Sequence, residues 1–222
     1  MVTFKFIHHA CFMLEHDNDA IIFDPYLDGN PTGIKASDIH VSHVLVTHNH
    51  GDHLGSAYEI AKNNKATFIS TAEVANAAAN AGCQVHSMHL GGTHQFPFGK
   101  VRITPAFHGS GIAGGHACGF IVNYYGVSVY FAGDTCVFSD MALLAKLEHI
   151  DYAVLPIGDN FTMGPEDAKV AVELLGVKKI IPVHYNTWPL IAQDPEKFKD
   201  EVEAGGKAQV FVVDPGDSLE LL

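Results

Sequence analysis

Val44-Leu45-Val46-Thr47-His48-Asn49-His50-Gly51-Asp52-His53 decides how this chain is read. A short apolar run, of the kind found in strands buried on both faces, opens directly into three histidines and one aspartate within six residues. Imidazole and carboxylate are ligands that borderline-soft divalent metals favour, and a turn at a strand end can aim several of them into one space. Gly51 suits a tight turn that swings Asp52 and His53 back towards the strand end. A solvated histidine-rich loop has the same composition. Against that reading, further candidate ligands follow other predicted strands: His108 after 101–107, Asp134 after 127–132 and His184 after 179–183.

Working outward, short β-rich runs are predicted at 3–7, 11–15, 20–24, 44–47, 67–70, 101–107, 119–123, 127–132, 152–156, 180–183, 209–213 and 218–221. Helices are predicted over 54–63, 72–81, 139–148, 165–175 and 195–204, the fourth opened by Pro165 and stopped by Gly176. The first three strands have no helix between them, and a hairpin cluster interrupts the later alternation. That pattern fits two mixed sheets flanked by helices better than a doubly wound parallel sheet. The chain has 222 residues and no linker-like stretch, so one domain over 1–222 is expected.

Composition narrows the function classes. The net charge is −12, with 13 Lys plus Arg, which speaks against polynucleotides and anionic membranes as partners. No apolar run nears the ~20 residues of a membrane-spanning helix. The N-terminal stretch is interrupted by Lys5, His8 and His9 and does not read as a signal peptide. Four scattered cysteines suggest no disulfide framework, so a reduced, cytoplasmic setting is expected. The 15 histidines are in excess of what any of this explains.

Taken in order, His48-Asn49-His50-Gly51-Asp52-His53, then His108, Gly133-Asp134-Thr135 and His184 resemble the metallo-β-lactamase superfamily. Phe23-Asp24-Pro25 is similar to the acidic turn that supports the metal loop in those proteins. The resemblance implies an αββα sandwich with a binuclear site at one edge. His48, His50 and His108 would hold a first ion, and Asp52, His53 and His184 a second, with Asp134 bridging. His116 competes with His108, which is preferred because it closes a strand whereas His116 follows the Gly-rich segment 109–115. His8-His9-Ala10-Cys11-Phe12, residues 162–168 and residues 182–187 resemble more narrowly an uncharacterised branch of metal-dependent hydrolases, similar to the ascorbate-phosphate lactonase group.

The implied chemistry is hydrolysis. Two divalent ions, zinc first with manganese, nickel or iron as alternatives, would lower the pKa of a shared water towards neutrality and generate a hydroxide. Its target would be a small ester, lactone, amide or phosphorylated substrate, with an anionic group drawn by the metals. Asp52 and Asp134 would contribute to catalysis as well as ligation. His9 is a candidate acid for the leaving group, with a rim hydrogen-bonding role for His8 and His9 as the alternative. The loop 158–164 before Pro165 could receive an anion or simply cap a helix, and 188–191 reads as an apolar wall or as core. Cys136 reads as a small buried residue rather than a nucleophile. Rival activities are a phosphodiesterase or nuclease, a diiron oxidoreductase and a non-catalytic metal-binding module. Asn49 stands where the oxidoreductase branch usually carries a carboxylate ligand, and it disfavours redox chemistry.

Overall fold

The N-terminal 23 residues form an antiparallel meander because their apolar side chains alternate and polar turns separate the runs. The computed structural model describes residues 1–222. Strands β1 (Val2–His8), β2 (Cys11–His16) and β3 (Asp19–Phe23) pair in sequence, and β4 (His43–Leu45), β5 (Thr67–Thr71) and β6 (Gln84–Met88) extend the sheet in parallel. The second sheet contains β7 (Thr93–Phe96), β8 (Gly99–Pro105), β9 (Cys118–Tyr124), β10 (Val127–Phe131), β11 (Tyr152–Pro156), β12 (Lys179–Val183) and β13 (Gln209–Val210), while β14 (Ser218–Leu221) returns to pair antiparallel with β1.

Between the sheets lies an aromatic core. Phe12 stacks on Phe23 at 4.4 Å within the first sheet and meets Phe131 of the second edge-on at 5.1 Å. Strands β11 and β12 are buried almost throughout, since each sheet is covered on its outer face too. Helices α1 (Gly51–Leu54), α2 (Ala57–Asn64) and α3 (Ala72–Asn80) cover the first sheet, with Ile60, Val74 and Ala78 packed near Val44 and Phe68. Helices α4 (Met141–Leu147), α5 (Pro165–Leu175) and α6 (Pro195–Ala204) cover the second, with Met141, Val172 and Phe198 near Tyr130 and Leu155. The architecture is the expected αββα sandwich. No helix is long and apolar enough to cross a membrane.

Helix ends follow their sequence signals. Gly176 closes α5 in the left-handed conformation at φ 62°, and the Asp194 side chain accepts from the backbone N–H of Glu196 and Lys197 to open α6. Several boundaries differ from expectation. The strand predicted over 101–107 ends at Pro105, the one over 209–213 spans only Gln209–Val210, and the edge strands β6 and β7 were not predicted at all. Both are short and largely polar or exposed, so they lack an apolar signal. The helix predicted over 54–63 is divided at Gly55, where a Cβ would lie 2.5 Å from the Pro25 carbonyl oxygen. Gly51, by contrast, is the first residue of α1 with open space around it, so the tight turn expected there is not what requires glycine.

Strand direction places the site. In the first sheet β1, β3 and β4 run the same way, and in the second β8, β10 and β12 do. Segments leaving the C-terminal ends of these six strands carry His9, Asp24, residues 47–53, His108, Asp134 and His184.

Candidate metal centre

Three of those residues leave their strands in the same unusual way. His9, Asp24 and His184 are each the first residue past a strand, and each has a positive φ, at 56°, 39° and 57°. Non-glycine residues seldom occupy this region, and they do so mostly where surrounding contacts enforce it. The His184 N–H donates to the His9 carbonyl at 2.8 Å, so the two strand ends are tied across the sheets.

Asp24 organises the histidine loop. Its fully buried carboxylate accepts from the Thr47 N–H, the Thr47 hydroxyl and His53 Nδ1, each at 2.7 Å. A carboxylate only accepts, so the Thr47 proton points to Asp24 and the Thr47 oxygen must take the proton of His48 Nδ1 at 2.9 Å. Both rings therefore donate from Nδ1, the arrangement that turns Nε2 inward and leaves it free to face a metal. This is the orientation that an outer carboxylate imposes on metal-binding histidines.

Asp134 lies where the inward-facing Nε2 atoms converge. Its Oδ2 is 3.2 Å from Nε2 of His53 and of His184, 3.5 Å from that of His108 and 4.0 Å from that of His48. Three groups have donor atoms close enough to share an ion: His48, His50 and His108; His48, His53 and Asp134; and His9, Asp52, His53 and His184. All three groups draw residues from both sheets. The seven residues expected as ligands all fall within these groups, and His9 joins the one around Asp52. His116 lies elsewhere, its ring 5.5 Å from that of His89, and of the two histidines it is His108 that falls within these groups.

The sequence pattern of the family described as "Beta-lactamase superfamily domain" matches residues 20–185. The chain is 54% identical over 218 residues to a UPF0173 metal-dependent hydrolase of Natranaerobius thermophilus, covering 98% of each, and 47% identical over 223 residues to the UPF0173 metal-dependent hydrolase YtkL of Bacillus subtilis, covering 96% and 97%. This chain belongs to the metal-dependent hydrolases of the β-lactamase superfamily. Among solved structures the hydrolase is similar to Igni18, a metallo hydrolase from Ignicoccus hospitalis, with a TM-score of 0.91, 35% identity and coverage of 98% and 97%.

The residues of the hydrolase fit a resident cation. Asp134 Oδ1 and the Nε2 atoms of His9, His53 and His184 are buried without a hydrogen-bond partner, the last two lying near Asp134 but out of alignment with it. Orphaned buried donors and acceptors are costly unless a ligand satisfies them. Charge points the same way. Burial pushes the Asp134 carboxyl up, but His53 and His184 outweigh it and hold it well below the usual range. Burial opposes charge on His53, yet Asp134 and Asp24 together hold it well above the ordinary histidine value. Burial drives His48 down, reinforced by His53, and likewise lowers His108. The pocket thus favours positive charge between its carboxylates.

Other expectations fared unevenly. His9 is 2% exposed, with Nδ1 2.7 Å from Thr187 Oγ1 and Nε2 3.4 Å from Asp52 Oδ2, and burial pushes its pKa down to about 4. His8 stacks on Tyr26 at 5.8 Å, and its ring lies tilted 6.3 Å from that of His9, whose Nδ1 is hydrogen-bonded to Thr187 instead. Cys136 is exposed, contrary to the buried role expected, because the chain turns outward after Thr135. No side chain caps α5, whose N-cap is Gly164. The segment 188–191 divides between both readings: Ile191 is core and Leu190 is 65% exposed. Sequence reasoning missed the role of Thr47, since a hydroxyl relay has no spacing signature.

Proposed function

We propose that the hydrolase holds two divalent ions and cleaves a small ester, lactone, amide or phosphorylated substrate. The observation that carries this reading is the position of Asp134 Oδ2, within 4.0 Å of four histidine Nε2 atoms that come from three separate segments. His48, His50 and His108 would hold one ion, and Asp52, His53 and His184 the other, with Asp134 between them. Zinc suits this imidazole-rich set, and manganese, nickel or iron could occupy it according to supply. When bound, the ions supply Lewis acidity, which activates water and offsets developing negative charge.

The chain's own groups do the rest. Asp24 and Thr47 fix ring orientation through the Nδ1 protons of His53 and His48. Trp188 and Phe161 wall the cavity over the centre. His9 Nε2, beside Asp52, is the candidate donor to the leaving group; with its pKa pushed down to about 4 it would act near neutral pH as a neutral imidazole giving a hydrogen bond. Asn49 favours hydrolysis over redox chemistry, because its amide is turned to the Gly111 carbonyl rather than to the centre. The net charge of −12 supports a small molecule over nucleic acid or a membrane surface, and four free thiols support a cytoplasmic setting.

The test is chelation with EDTA, reconstitution with Zn²⁺, Mn²⁺, Ni²⁺ or Fe²⁺, and a screen of esters, lactones, amides and phosphoesters with His50→Ala as control. Metal-dependent turnover that His50→Ala abolishes is expected. Undiminished turnover in metal-free protein sinks the reading.

A further inference from the structure

The hydrolase exposes apolar side chains around the metal centre that its core does not use. The cavity over the centre, about 280 Å³, is walled by Phe161 and Trp188 beside His50, His108 and His184. Phe107, adjacent to His108, is 62% exposed, and Phe161 is 48% exposed. Leu190, two residues past Trp188, is exposed as well. Single exposed apolar residues are ordinary, whereas a cluster around one opening marks a binding surface.

These side chains are held in place. Asp159 and Asn160 take left-handed φ values of 60° and 50°, and the turn they make is closed by Asp159 N–H to the Met163 carbonyl at 3.0 Å and Met163 N–H to the Thr135 carbonyl at 2.9 Å. Two consecutive non-glycine residues in that region are costly, and here they present Phe161 to the opening. The Phe107 N–H donates to Thr135 Oγ1 at 3.0 Å, and its ring packs 5.1 Å from Phe138. Thr135, next to Asp134, thus holds both the turn that carries Phe161 and the backbone of Phe107 beside His108.

Fixed positive charge is missing from the same surface. No lysine or arginine lines the cavity, and its only charged side chains besides histidine are Asp52 and Asp134. The single arginine of the chain, Arg102, is engaged by Glu148 and the Gly91 carbonyl. An anionic or sugar-phosphate tail would find no guanidinium or ammonium to pair with, whereas an alkyl or aryl tail would find apolar walls. The volume sits at the small end of ligand pockets, near ~300 Å³.

We propose that this opening is a subsite for an alkyl or aryl group beside the scissile bond, so that the substrate is a small ester, lactone or amide with an uncharged apolar tail. This rests on the hydrolase reading above but is tested apart from turnover. The metal-loaded protein is titrated by calorimetry with phenylphosphonate and with 2-hydroxyethylphosphonate, which share a metal-directed anion and have no ester bond to cleave. Phenylphosphonate is expected to bind about tenfold more tightly, from the burial of its ring. It should also perturb the fluorescence of Trp188, the only tryptophan. In Phe161→Ala, an exposed position whose replacement leaves the core intact, the ratio should fall to about threefold or less. Equal or reversed affinities, a ratio unchanged in Phe161→Ala, or an unresponsive Trp188 overturns the proposal. Failure of the hydrolase reading shows instead as absence of turnover across the ester panel, with the phosphonate ratio still measured.

Discussion

Asp24 Oδ2 and His53 Nδ1 meet at 2.7 Å, both side chains wholly enclosed, across 29 residues of sequence. The same carboxylate grips both the backbone and hydroxyl of Thr47, so one buried acid sets the direction of two imidazoles.

Asp24→Asn tests that control. An amide cannot accept all three hydrogen bonds, and its NH₂ would face a donor. Metal affinity should fall about 10–100-fold, as for other outer partners of ligating histidines, measured by competition with a chromophoric chelator. Wild-type affinity in this variant contradicts the orienting role.

Metal removal should destabilise the fold. Stripping the ions leaves Asp52 and Asp134 facing unpartnered histidine nitrogens. Ion binding at about 100 times Kd contributes roughly 2.7 kcal/mol by mass action. Calorimetric melting should therefore show a Tm that falls on chelation and returns with added metal. A Tm indifferent to metal argues against a resident ion.

The two glycines of the histidine loop should behave oppositely. Gly55→Ala would push a Cβ into the Pro25 carbonyl at a φ of 39°, costing about 2 kcal/mol. Gly51→Ala meets nothing within 4 Å and should be tolerated. Denaturant midpoints of the two variants decide it.

Asn49→Asp places a carboxylate where an oxidoreductase-type ligand is expected from sequence. The side chain is turned to the Gly111 carbonyl, so it should add no ligand. Elemental analysis should give unchanged metal stoichiometry, and stability should fall by about 1 kcal/mol as an acceptor faces an acceptor. Altered metal content refutes this placement.

Glu148 provides a pH-dependent term. Burial raises its carboxyl pKa, but hydrogen bonds from Lys100 and Arg102 outweigh this and hold it below its ordinary value. A lowered folded-state pKa means the stabilisation is present above the unfolded value, about 4.3, and is lost as pH falls through the folded one. Glu148→Gln should cost about 1 kcal/mol at neutral pH, and its deficit should shrink in acid. A deficit that widens in acid reverses the sign and rejects the account.

The candidate ligands were legible because they depend on order and strand ends, both written in the chain. His108 could be preferred over His116 although its strand stops at Pro105, because the residues bridging to His108 keep its ring beside those of His48 and His50. What escaped notice lacked a local signal. Edge strands β6 and β7 are held by pairing rather than by apolar pattern. The division of a helix at Gly55 depends on Pro25, thirty residues away. The relay from His48 through Thr47 to Asp24 exists only once two segments 23 residues apart meet.

Each candidate ion would draw its ligands from both sheets, with His48 and His50 facing His108, and Asp52 and His53 facing His184. An ion there is a rivet between two layers, and neither layer alone carries a full set of ligands for it. Fragments cut in the exposed turn near Gly91 should then reassociate more strongly with metal than without, making metal content a gauge of how the halves are joined.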